Sequence, residues 1–76
     1  MDTKNPFFVP EMNDGWNYAQ ELHINQGIAL DAIMLKGFER AFQVYHHSVL
    51  TLQPLFVSGV KAYILVETER GKGYVG

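Results

Sequence analysis

The sequence predicts an α+β fold on three observations. Residues Leu30 to Gln53 carry apolar side chains at helical spacing. Val60 to Glu69 alternate with the period of a strand, and proline and glycine separate the two stretches. The expected architecture is one long central amphipathic helix and a shorter N-terminal helix, packed on a small antiparallel sheet that forms a C-terminal hairpin. At 76 residues the chain makes a single domain. Its expected parts are an extended N-terminal arm over residues 1–13, a helical part over 14–53 and a β-hairpin part over 54–76.

In the arm, Phe7-Phe8-Val9 lies between Pro6 and Pro10. Prolines on both sides forbid a central strand, so this tripeptide is an edge strand or an extended arm. Asn13-Asp14-Gly15 is a turn signal, with Asp14 placed to cap the next segment. That segment, Trp16–Ile24, fits a strand and a helix almost equally. Asp14 in front and Asn25-Gln26-Gly27 behind tip it to a short helix with a C-cap glycine.

The long helix comes next. Leu30, Met34, Phe38, Ala41, Phe42, Tyr45, Val49 and Leu52 fall on one arc at 100° per residue. Lys36, Glu39, Arg40, Gln43, His47 and Thr51 fall on the other. Asp31 suits the N-cap or first turn, where a carboxylate faces the positive end of the helix. Pro54 supplies the stop, because the residue before a proline is pushed out of the helical region. Gly37, at the edge of the apolar arc, points to close approach of another backbone, since glycine there costs about 1 kcal/mol against alanine.

After Pro54 the period changes. Leu55-Phe56-Val57 reads as a short strand and Ser58-Gly59 as a turn. Val60, Ala62, Ile64, Val66 and Thr68 then share the face expected to lie on the long helix. Lys61, Tyr63, Leu65, Glu67 and Glu69 share the outer one. Arg70-Gly71-Lys72-Gly73 reads as a turn, and Tyr74-Val75 as a stub strand. A long strand between stubs leaves edge unpaired, and such edges recruit further strands. The segment VKAYILVETERGK, Val60 to Lys72, resembles the opening strand and turn of the ligand-binding domain of leucine-responsive regulators. The later helix and strands of that domain have no counterpart here, so the resemblance carries no residue role over.

Composition narrows the function classes. A chain this short buries only about 60–65% of its unfolded surface, so small domains lean on disulfides, metals or association. Cysteine is absent, which removes the first of these and the thiolate metal sites. Association with a partner or with itself is what remains. The net charge of −2, with six scattered basic residues, provides no patch for phosphates, so no nucleic-acid partner is expected. No apolar run approaches the 18–20 residues of a membrane span, and Met1-Asp2-Thr3-Lys4-Asn5-Pro6 lacks the order of a secretory signal. A cytoplasmic protein with no membrane partner is the expectation.

No constellation carries catalysis. His46 and His47 are adjacent on the expected helix, so they diverge by about 100° and cannot chelate one ion as an i, i+4 pair does. A metal would need His23 and a carboxylate such as Glu21 brought to them, and nothing in the spacing demands it. Glu67 and Glu69 neighbour each other on one strand face, where edge protection suits them better than acid–base work. Arg70-Gly71-Lys72-Gly73 lacks the helix that a phosphate loop requires after it. Ser48, Thr51, Ser58 and Thr68 have no base-and-orienter arrangement around them. If chemistry is present at all, His23, His46 and Glu39 are where it would reside.

No catalytic residue, cofactor or metal is therefore expected. The sequence points to a small non-enzymatic interaction module, an inhibitor or adaptor that occupies a surface of a larger protein, a class common among viral and mobile-element proteins. The alternative is a structural or regulatory homo-oligomer, a dimer that closes the sheet and encloses a small ligand. Candidate interface residues are Phe7, Phe8, Trp16, Tyr18, Tyr63, Leu65, Arg70 and Lys72. The aromatics and arginine among them are of the types that anchor interfaces.

Overall fold

The computed structural model describes residues 9–47 and 51–73. Three helices carry the fold: α1 (Pro10–Gln20), α2 (Leu30–Val44) and α3 (Leu52–Gly73). A π-helical turn over Glu21–Asn25 extends α1. No strand occurs among the described residues, so the fold is all-α and the α+β expectation is overturned.

α1 begins earlier than the turn signal suggests. Pro10 occupies its first turn, where a missing N–H costs nothing, and extended Val9 is the N-cap (φ −80°, ψ 122°). The Asn13 N–H donates to the Val9 carbonyl at 3.0 Å, closing the first turn. Pro10–Asn13 are thus helix rather than arm, and Asn13-Asp14-Gly15 is helix interior rather than a turn with a cap. The far end matches expectation. Gly27, at φ 68°, takes the left-handed conformation that ends the helix. The Ile28 N–H then reaches back to the Leu22 carbonyl at 3.0 Å. That is one residue further than the usual closing bond of a glycine cap, as a π-wound last turn requires.

α2 starts where the hydrophobic period starts, with Asp31 in its first turn. It does not run on to Gln53. The backbone leaves the helix at Tyr45 (φ −120°, ψ 36°), whose N–H still donates to the Ala41 carbonyl at 2.8 Å. The Gln53 side chain donates to the freed Tyr45 carbonyl at 2.9 Å and ties the connection to the start of α3.

α3 replaces the expected hairpin part as far as Gly73. Pro54 lies in its first turn, among the residues whose N–H groups have no intrahelical partner, so it starts a helix rather than stopping one. Leu55-Phe56-Val57, Ser58-Gly59, Val60–Glu69 and Arg70–Gly73 are all helical, and neither turn exists. The resemblance of Val60–Lys72 to a regulator strand fails for the same reason. Glu67 and Glu69 no longer share a face, because residues two apart on a helix diverge by about 200°. The sheet edge through which a dimer was expected to form is gone. Tyr74 and Val75 lie outside the described residues.

The buried side chains of α3 are Phe56, Val60 and Tyr63, spaced four and then three apart. They close on Ala19 and Leu22 from the α1 side and on Ile33 and Ala41 from α2. Two glycines let α1 and α3 touch. A Cβ on Gly15 would collide with the Phe56 carbonyl oxygen, and one on Gly59 with the Met12 carbonyl oxygen. The hydrogens standing in place of those Cβ atoms therefore point at carbonyls, a pair of Cα–H···O contacts worth about 0.5–1 kcal/mol each. Gly37 serves α2 in the same way. The close neighbour is a side chain rather than the backbone anticipated: a Cβ there would stand 2.8 Å from Val60 Cγ1.

Candidate interaction surface

The small residues decide which way α2 faces. Ile33, Gly37 and Ala41 lie i, i+4, i+8 on one line, and all three are buried. Seating that line on Val60 turns the helix away from the orientation its large residues favour. Phe38 and Phe42, expected in the core, are left 54% and 62% exposed, with Leu35 beside them at 64%. Their i, i+3, i+7 spacing puts the three in one stripe over two turns of α2. Phe38 also walls an open groove of about 350 Å³ with Pro54, Val57 and Lys61 of α3.

The expected interface residues scatter. Trp16 is half-buried, with its ring edge-on to Tyr63 at 5.3 Å between centroids. Tyr63 is 2% exposed, so it sits in the core instead of on an outer face. Its hydroxyl lies 2.9 Å from His23 Nδ1, which the π-turn brings across to it. Burial raises the Tyr63 phenol above its usual value, and Glu67 adds to the shift while Arg70 opposes it. Leu65 is exposed on α3. Arg70 is exposed and pairs with Glu67 at 3.3 Å, one helical turn away. Lys72 falls in the last turn of α3, and Phe7 and Phe8 lie outside the described residues.

Tyr18 has a different setting. It packs on Phe56 at 5.8 Å and carries the Arg40 guanidinium over its ring at 5.5 Å. Across the same cleft the Tyr45 hydroxyl donates to Asp14 Oδ2 at 3.4 Å. Desolvation raises the Tyr45 phenol, and the charges of Asp14 and Glu11 raise it further.

Among the described residues the histidines weighed for chemistry lie apart. His23 faces Tyr63, while the His46 and His47 rings lie against each other, 3.8 Å between centroids and tilted by 48°, in the turn after α2. Among the described residues no three His, Cys, Asp or Glu side chains cluster as metal ligands. Nor, among them, is any helix long and apolar enough to cross a membrane. No family model, curated protein or solved structure matches the chain.

Sequence reasoning missed Leu35, Phe38 and Phe42 as surface residues. The signal was present in Gly37-x-x-x-Ala41, which parallels Gly15-x-x-x-Ala19 on α1. Small residues four apart mark the line along which helices approach closely. Weighting that line above the aromatics would have turned α2 correctly.

Proposed function

We propose that this protein is a small non-enzymatic interaction module that docks on a larger protein through the outer stripe of α2. One observation carries the reading: α2 packs its glycine and alanine inward and presents Leu35, Phe38 and Phe42 to solvent. Apolar anchors at i, i+3, i+7 are the pattern by which a helix fills a hydrophobic groove. The occupant is a partner with such a groove. A second copy would offer the same convex ridge, and the groove beside Phe38 lies on the flank of that ridge. Blocking or bridging the partner's surface is what an inhibitor or adaptor does.

The test compares the tagged wild-type protein with a Phe38→Glu, Phe42→Glu double variant in pull-downs from native lysate, with the eluates sized by light scattering. One larger protein should be retained in fixed ratio by the wild type and lost by the variant, whose helical circular dichroism is unchanged. Retention of that protein by the variant contradicts the proposal. So does recovery of the wild type alone, at a multiple of 8.6 kDa.

A further inference from the structure

The cleft between α1 and α2, away from the stripe, has the composition of a second recognition site. It measures about 340 Å³ and is walled by Asp14, Asn17, Tyr18, Arg40 and Tyr45 over a floor of Phe56. Arg40 is the feature that asks for a ligand. Its guanidinium carbon lies over the Tyr18 ring, 5.5 Å from the centroid, and the group has no carboxylate partner among the described residues. A cation held over a ring face keeps its N–H donors, and those of a guanidinium match a planar acceptor. The Asn17 amide and the tyrosine hydroxyls add hydrogen-bonding groups around the opening, and Val44 is an exposed apolar neighbour.

We propose that this cleft receives an acidic side chain of a partner protein, its carboxylate on the Arg40 guanidinium and an adjoining apolar side chain against Tyr18 and Val44. Asp14, on the opposite wall, is the opposing charge. Its carboxylate accepts from Tyr45 and lowers the affinity for an incoming anion, which gives the site a signature of opposite sign at its two walls. The cleft uses different residues from the stripe, so the two readings stand or fall separately.

A random peptide library displayed on phage, panned against the full chain, tests this. The enriched peptides should carry Asp or Glu beside an apolar residue. A synthetic consensus peptide should bind Arg40→Gln about tenfold more weakly than wild type, the loss expected for one charge-assisted contact. Asp14→Asn should bind it more tightly. Lys36→Gln, an equal change of net charge on the solvent face of α2, should bind it as wild type does. Absence of enrichment, enriched peptides without an acidic residue, or equal weakening by Arg40→Gln and Lys36→Gln would each overturn the proposal. All three substitutions are at exposed positions, and unchanged helical circular dichroism confirms the fold for each.

Discussion

Gly15 and Gly59 meet where α1 crosses α3, and each leaves room for a carbonyl oxygen on the other helix. The two glycines sacrifice helix propensity of about 1 kcal/mol each, so their presence inside helices is explained by the contact and not by local preference. The crossing sets the position of Val60, Val60 sets Gly37 against it, and Gly37 sets the rotation of α2.

Gly15→Ala and Gly59→Ala should therefore destabilise the protein by about 1–3 kcal/mol, the usual cost of overpacking, despite the better helix former introduced. Gly71→Ala is the control, because nothing lies within 4 Å of its added Cβ. It should be neutral or stabilising by up to about 1 kcal/mol. Urea denaturation of the three variants measures this.

Gly27 acts through conformation instead of space. No atom lies within 4 Å of a Cβ there, yet its φ is 68°. Gly27→Ala should cost about 1–2 kcal/mol from the left-handed backbone alone. Gly27→Asn should recover part of that loss in the same denaturation assay.

The C-cap at Gly27 and the start of α2 at Leu30 were legible in the sequence because each depends on local chemistry. The state of Val60–Glu69 was not. Val60 and Ile64 fit a period of two and a helical period alike, and the β-branched content favours the strand. What decides for the helix is the spacing of Phe56, Val60, Tyr63 and the half-buried Glu67, visible only once Tyr63 is known to point inward. Gly59 looks like a turn residue because the sequence does not reveal that Met12 lies against it. Pro54 is equally ambiguous, since the first turn of a helix tolerates the residue that ends one. The surface stripe was hidden by a sound rule, that large aromatics outrank glycine for the core, which tight packing on Val60 overrides.

Tyr63→Phe removes the hydroxyl that meets His23 while preserving the ring against Trp16. A loss of about 1 kcal/mol is expected, against about 3–5 kcal/mol for Tyr63→Ala, which empties the core position. Thermal denaturation of the pair separates the hydrogen bond from the packing.

The raised phenols of Tyr45 and Tyr63 imply an alkaline limit to stability. Below the ordinary phenol value of 10.0, folded and unfolded chains both hold these protons, and the contribution is fully present. Above it the unfolded chain ionises first, so stability falls as pH rises toward the folded values. Tyr63→Phe should flatten that decline in denaturation curves recorded across the alkaline range.

The most direct test of the inward packing of α2 is the solvent exposure of the phenylalanine rings, read by NMR with a soluble paramagnetic agent. Burial of Gly37 and Ala41 predicts strong relaxation enhancement at Phe38 and Phe42 and little at Phe56, independent of protein concentration. Protection of Phe38 and Phe42 to the level of Phe56 at every protein concentration would contradict it, placing them in the core.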